Sequence, residues 1–256
     1  MLGFILIDDR RYEHTLSFLA GQGHLFGEKA ENLDFIVFPF VAGIDENVYD
    51  DEYFAAIKKD AVIFSGVRND YVMKKCAQYG LEYYVMMNDA EVAKKNAVPT
   101  SEGVIEYLIT SRDSTIAGSR ILVMGYGTCG RDLAGRLAAL DADVYALVRN
   151  AQKEALARAD AVTSINLSQL FAYSFDVIIN TVPSTILTDE MIRRLGGVLM
   201  VDIASKPYGF NMALARSLNE KSALLSAIPG KYAVKTAGKI LGQYIENILG
   251  GDRNDI

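Results

Sequence analysis

The sequence predicts an α/β protein of two domains: a small N-terminal α/β domain and a doubly wound second domain, with the C-terminal helix packing back on the first. Three observations predict it. At 256 residues the chain exceeds one domain of ordinary size. Short apolar runs alternate with helical stretches along its whole length. Residues 121–150, ILVMGYGTCGRDLAGRLAALDADVYALVRN, read as strand, glycine turn, helix and second strand.

In the first domain the strand-like runs are GFILID (3–8), DFIVFPF (34–40), AVIFSG (61–66) and LEYYVMM (81–87), rich in Ile, Val, Phe and Tyr. Between them RRYEHTLSFLAGQG and NDYVMKKCAQYG have helical spacing and end at glycine. A mainly parallel sheet is expected. The segment VPTSEGVIEYLITSRDST places Thr100 or Ser101 as an N-cap with Glu102 in the first turn, so a helix over 101–112 is expected to bridge the domains. Boundaries of 1–113 for the first domain and 114–235 for the second follow.

The second domain offers RILVMG (120–125), DVYALV (143–148), DVIINTV (176–182), GVLMVDIA (197–204) and ALLSAI (223–228) as strands with helical stretches between several of them. In the last helix, 235–250, Ile240, Leu241, Tyr244, Ile245 and Ile248 recur at three- and four-residue spacings. The C-terminal segment 236–256 is expected to complete the first domain and to close a cleft, and the tail GDRNDI is expected to be mobile.

Gly125-Tyr126-Gly127-Thr128-Cys129-Gly130 fits the pattern G-x-G-x-x-G. Gly125 would permit the tight turn, Gly127 the approach of a pyrophosphate, and Gly130 close packing of helix on strand. The phosphates would sit at the positive end of the helix beginning near Thr128. A purely structural glycine turn is the alternative, and the strand–helix–strand context argues against it. This is the signature of a Rossmann domain. The following strand ends in Arg149-Asn150, where a carboxylate usually meets the ribose 2′-hydroxyl of NAD. Arg149 offers a planar fork to a 2′-phosphate, and Lys153 adds charge. NADP is therefore expected over NAD, the alternative being a solvated loop arginine. Cys129 reads as a small helix-start residue rather than a nucleophile.

Further polar groups fall at strand ends, where ligands bind in such sheets. NTVPS (180–184), with Thr181, Val182 and Pro183, would face the nicotinamide side. DIASKPYGF (202–210) and IPGKYAVKTAG (228–238) bring Lys206, Lys231, Lys235 and Thr236, suited to an anionic substrate or else ordinary solvated groups. From the first domain Asp9, Arg10, Ser65, Gly66, Thr100 and Ser101 could line a facing wall, the last two through a helix N-terminus.

Composition excludes several classes. Half of the residues are apolar and 23% are charged, which supports a buried core. A formal charge of -6 argues against sequence-independent nucleic-acid binding. Two cysteines, Cys76 and Cys129, and two histidines, His14 and His24, form no metal spacing. The start, MLGFILIDDRRYEH, reads as a first strand rather than a leader, and no run reaches the ~18 apolar residues of a membrane span. A cytoplasmic protein in a reducing compartment, without a membrane, metal or nucleic-acid partner, is expected. A homo-oligomer is also expected.

The stretches AVIFSG, VPTSEGVIEYLI, GSRILVMGYGTCGRDLA, NTVPSTIL, VDIASKPYG and IPGKYAVKTAGKIL, in order from about residue 61 to 241, together resemble the A subunit of dipicolinate synthase from spore-forming bacteria. The resemblance implies an N-terminal α/β domain, an NADP-binding Rossmann domain and a flavoprotein-like B subunit. It also implies conversion of a dihydrodipicolinate-pathway intermediate to pyridine-2,6-dicarboxylate in the mother cell. Two positions depart from the family pattern: Thr128-Cys129 stands where members often read Arg-Thr, and Lys206-Pro207-Tyr208-Gly209 where Lys-Pro-Gly-Gly is common.

On this reading a cyclic dicarboxylic imine loses hydride to NADP and becomes aromatic. Lys206, Lys231 and Lys235, with Ser65, Thr100 and Ser101, would hold its carboxylates, and Glu102 or a lysine would accept the proton. Two other readings compete. One is another two-domain NAD(P) dehydrogenase of a small carboxylic acid, disfavoured for hydroxy acids by the lack of an active-site His. The other is a non-catalytic dinucleotide-binding protein.

Overall fold

The computed structural model describes residues 1–40 and 43–251 of the chain. The tail beyond Gly251, expected to be mobile, lies outside the described residues. The chain forms two compact units, Met1–Asn96 with Ala233–Ile256, and Ala97–Tyr232.

In the first unit β1 (Leu2–Ile5), α1 (Arg10–Gly21), β2 (Leu25–Phe26), β3 (Phe35–Phe38), α2 (Asp51–Ala56), β4 (Val62–Ser65), α3 (Asp70–Tyr79) and β5 (Glu82–Val85) follow one another. All pairings are parallel and the order is β2-β1-β3-β4-β5. That is one of the two common doubly wound orders. The two-residue β2 and the short α2 are not legible in the sequence, because neither has a full period of pattern. α3 behaves as its sequence dictates: Asn69 caps it by accepting from the Val72 amide, and Gly80, at φ +70, ends it.

The strands are apolar on both faces because helices cover both. Ile5, Phe35, Val37, Val62 and Phe64 pack with Tyr12 and Leu19 of α1. The same cluster takes in Ile240, Leu241, Tyr244, Ile245 and Ile248 of the C-terminal helix (Val234–Gly250). The opposite face, with Ile36, Phe38 and Ile63, packs on Phe54, Val72 and Cys76. The C-terminal helix thus returns to the first unit, as its apolar stripe predicts. Burial pushes the Cys76 thiol up to about 12, so it stays a neutral apolar filler.

α4 (Ala90–Ser111) corrects the expected bridge helix. It starts well before Thr100, with the Asp89 carboxylate accepting from the Val92 amide, and carries Pro99 in its interior. In the sequence Pro99 imitates a helix-start signal, but the residues before it, AEVAKKNA, are good helix formers that carry the helix through. Thr100 and Ser101 therefore sit mid-helix and offer no N-terminus to an anion.

The second unit contains β6 (Arg120–Met124), α5 (Thr128–Ala139), β7 (Asp143–Leu147), α6 (Ala151–Ala159), β8 (Thr163–Ile165), β9 (Val177–Asn180), α7 (Asp189–Leu195), β10 (Leu199–Asp202), α8 (Met212–Leu218), β11 (Ala223–Leu224) and α9 (Ile228–Tyr232). The C-terminal helix is α10. The sheet, order β11-β10-β9-β6-β7-β8, is parallel throughout. Counted from β6, this is the Rossmann order 3-2-1-4-5-6. Successive residues alternate between two cores: Ile121, Val123, Ile179 and Val201 lie with α5, Leu122, Met124, Ile178 and Met200 with α7 and α8. The three-residue β8 is too short to show in the sequence pattern. The strand order reverses between β6 and β9, which opens a crevice beyond their carboxyl ends.

Candidate functional site

The crevice is a cavity of about 1000 Å³, lined by the glycine turn, by Leu147–Ala151, by residues 164–167 and by residues 181–186. The three glycines do different things there. Gly125 sits at φ +94, and a Cβ on it would lie 2.3 Å from Val182 Cγ2. A Cβ on Gly130 would lie 2.3 Å from the Gly125 carbonyl oxygen, so the helix can approach the turn only without one. A Cβ on Gly127 would meet nothing within 4 Å. The open space is therefore at Gly127, where a pyrophosphate would approach. Gly127 also supplies no side-chain cap to α5, which leaves first-turn amides of Thr128 and Cys129 available to phosphate oxygens. The residues fit a dinucleotide.

Tyr126 is among the residues that border the cavity. Its side chain is buried in the core of the unit, and its hydroxyl donates to Asp160 at 2.9 Å. Arg131, on the first turn of α5, holds the same carboxylate through two hydrogen bonds of 2.6 and 2.7 Å. These bonds keep the Asp160 carboxyl below the usual range, while burial pushes the Tyr126 hydroxyl up. The arrangement pins the glycine turn to the end of α6. Burial likewise raises the Cys129 thiol, with Asp132 adding to it, so Cys129 is a poor nucleophile at neutral pH.

At the end of β7, Arg149 is exposed and lines the cavity, and among the described residues no hydrogen bond or ion pair engages it. Asn150 caps α6 by accepting from the Lys153 amide at 2.9 Å, which fixes the direction of the loop. Lys153 also lines the cavity, and Glu154 beside it is paired with Arg158 at 3.0 Å. Sequence reasoning misses the wall made by the end of β8 and the turn after it: Ser164, Ile165, Asn166, Leu167 and Gln169. Its signal is the Asn166–Gln169 capping box, legible as N-x-x-Q once β8 is recognised.

The loop after β9 forms a further wall of the cavity, and the loop after β10 packs against it. Thr181 donates its hydroxyl to the Met124 carbonyl, and Val182 and Pro183 continue the cavity wall. Behind them lie two residues that sequence reasoning does not single out, Asn180 and Asp202, both fully buried. Asn180 Nδ2 donates to Asp202 Oδ1 at 3.0 Å; the Ala204 and Gly209 amides donate to the two Asp202 oxygens at 2.9 and 2.8 Å. Their only mark in the sequence is that each is a polar residue ending an apolar strand. Lys206 is exposed on the loop this carboxylate organises, and Lys231 is exposed on α9.

The remaining candidates are dispersed by element. Glu102 is exposed on α4 and lies 3.8 Å from Arg136, whose other partner is Asp132. Ser101 is buried, its hydroxyl without a partner among the described residues, and Thr100 is half-buried beside it. In the first unit Asp9 caps α1 and is held below the usual carboxylate range chiefly by its hydrogen bonds from Arg11, while Arg10 is exposed. The buried Ser65 hydroxyl is committed to the Val67 carbonyl and the Tyr83 hydroxyl, and Gly66 lies against the Phe40 ring. Lys235 and Thr236 are exposed on the first turn of α10. Among the described residues no group of three or more His, Cys, Asp or Glu could hold a metal ion, and no helix is long and apolar enough to cross a membrane.

Residues 92–223 match the family described as D-isomer specific 2-hydroxyacid dehydrogenase, NAD binding domain. Over 234 residues the chain is 30% identical to the A subunit of dipicolinate synthase from Bacillus subtilis (strain 168), covering 86% of this chain and 78% of that one. The crystal structure of the same enzyme's A chain from Bacillus subtilis superposes with a TM-score of 0.87 at 26% identity, over 97% and 95% of the two chains. The crystal structure of the A subunit of dipicolinate synthase from Bacillus halodurans gives 0.87 at 24% identity, over 97% of each.

Proposed function

This chain belongs to the family of the A subunit of dipicolinate synthase, dehydrogenase-like proteins with a nicotinamide-dinucleotide-binding domain, and on that premise we propose that it binds NADP and oxidises a dihydrodipicolinate-pathway intermediate to pyridine-2,6-dicarboxylate. It does so with a B subunit, in the mother-cell cytoplasm of a spore-forming bacterium. The observation that carries the cofactor reading is the end of β7. Arg149 lines the cavity unpaired among the described residues, Lys153 stands beside it, and no carboxylate ends the strand.

When bound, the oxidised nicotinamide supplies the hydride acceptor. The protein's own part is to orient the ring and to hold its two carboxylates, since aromatisation provides much of the driving force. Lys206 and Lys231 are the carboxylate partners proposed in the second unit, their positive charge set locally against a net negative protein. The proton that leaves the ring needs an acceptor, and Glu102 and the loop lysines are the groups proposed for it.

Calorimetry on Arg149→Ala tests the cofactor. NADP affinity is expected to fall by the loss of a charge-assisted contact, on the order of 1.5 to 3 kcal/mol, with NAD affinity nearly unchanged. Equal losses for both dinucleotides would remove Arg149 from the 2′-phosphate. For the substrate, Lys206→Ala is expected to weaken dipicolinate binding about tenfold while sparing NADP. Lys94→Ala, at an exposed lysine 3.9 Å from Glu91, serves as the control and should change neither. Parent-like dipicolinate binding by Lys206→Ala would make that lysine an ordinary solvated residue.

A further inference from the structure

Asp202 is a carboxylate fully removed from water, and among the described residues no cation lies within ion-pair distance of it. Such a group is costly unless its oxygens are saturated with donors, and a well-packed apolar pair would serve stability at least as well. Its partners are therefore informative. Asn180 and Asp202 are register partners on adjacent strands, β9 and β10. Beyond the bond between them, their side chains bond to the loops that follow these strands. Asn180 Nδ2 donates to the Val182 carbonyl and Asn180 Oδ1 accepts from the Val182 amide, at 2.9 and 3.1 Å. Asp202 accepts from Ala204 and Gly209, so that residues 204–209, with the exposed Lys206 among them, curl around one carboxylate.

The two loops are also clamped directly. The Gly209 carbonyl accepts from the Ile186 and Leu187 amides at 2.7 and 3.0 Å, and the Tyr208 carbonyl accepts from the Thr185 hydroxyl. Position 209 admits no side chain, because a Cβ would lie 2.3 Å from Asn180 Cγ. Residues 181–186 line the dinucleotide cavity; residues 204–209 do not.

We propose that the buried Asn180–Asp202 couple is a positioning device that makes the cavity-lining loop after β9 and the Lys206 loop after β10 one hydrogen-bonded frame, so that the nicotinamide end of the bound cofactor is set against Lys206. The inference rests on the dinucleotide reading above. Asp202 acts through the loops and is a positioning residue. An aspartate is required rather than an asparagine, because an amide nitrogen at Oδ2 would face the Gly209 N–H donor to donor.

The test compares NADP+ with its adenosine-side fragment 2′,5′-ADP, by calorimetry on the parent and on Asp202→Asn. The Asp202 side chain bonds only Asn180, Ala204 and Gly209, none of which lines the cavity or the glycine turn, so fragment affinity is expected to stay within about twofold while NADP+ affinity falls roughly tenfold. A merely structural role would move both ligands together, and that result, or no change in either, overturns the proposal. A second measurement needs no variant: hydrogen exchange on the parent protein with and without NADP+. Slowed exchange in 204–209 together with 181–187 supports the frame. Protection confined to 181–187 overturns it. A parent that binds neither NADP+ nor NAD+ overturns the dinucleotide reading itself and this inference with it, which separates the two failures.

Discussion

Gly127→Val is expected to fold normally and to lose measurable dinucleotide binding, a drop of at least about a hundredfold for a side chain that displaces the pyrophosphate from the helix start. The two halves of this expectation have separate causes. The fold survives because a Cβ at 127 meets nothing within 4 Å and the residue lies in extended backbone at φ -85, which valine adopts freely. Binding is expected to fail because a side chain there would fill the open space proposed for the phosphates. Circular dichroism and thermal melting check the first half, and titration with NADP and NAD the second. A folded variant that binds like the parent would remove this turn from the site. The contrast with Gly125 and Gly130 is instructive, since a side chain at either collides with the protein itself.

The second large effect concerns the helix that closes the first unit. Gly238→Val is expected to destabilise that unit by on the order of 3 kcal/mol or more, read as a lower urea midpoint with an unchanged slope. α1 and α10 pack against each other there, and a Cβ at 238 would lie 2.3 Å from the Arg11 carbonyl oxygen and 3.2 Å from the Thr15 amide nitrogen. Those are backbone atoms that cannot rotate away. The Thr15 hydroxyl also donates to the Gly238 carbonyl at 3.0 Å, a buried bond the separation would break. The gain in helix propensity on replacing glycine is a fraction of 1 kcal/mol and does not offset this. A parent-like midpoint would mean the helices can part without cost.

The two parallel sheets, the glycine turn and the return of α10 are legible along the chain, because each is written in a local period or a local steric need. Apolar runs such as Val62–Ser65 and Val177–Asn180 suit strands buried on both faces. Gly125, Gly127 and Gly130 carry a spacing that suits a strand–turn–helix. Arg149 is legible for the same reason, as the residue at a strand end whose position the pattern fixes. Elements without a full period, β2, β8 and α2, leave no such mark. α4 misleads because Pro99 imitates a helix start, although the packing of Val104 and Leu108 in the second unit and of Val92 in the first holds the helix on both sides of it.

Which polar groups are free to act depends instead on the folded chain. The hydroxyl of Ser65 and the carboxylate of Asp9 are spent on neighbours that sequence spacing does not reveal, Val67 and Tyr83 for one and Arg11 for the other. Tyr126 sits in the motif yet turns its ring into the core toward Asp160, far along the chain. The Asn180–Asp202 couple spans two strands, and its meaning lies in the loops it joins. The physical reason is the range of the forces. Hydrophobic periodicity and backbone sterics act over a few residues and can be read along the chain, whereas a buried hydrogen bond depends on which distant groups the sheet order brings within about 3 Å of each other.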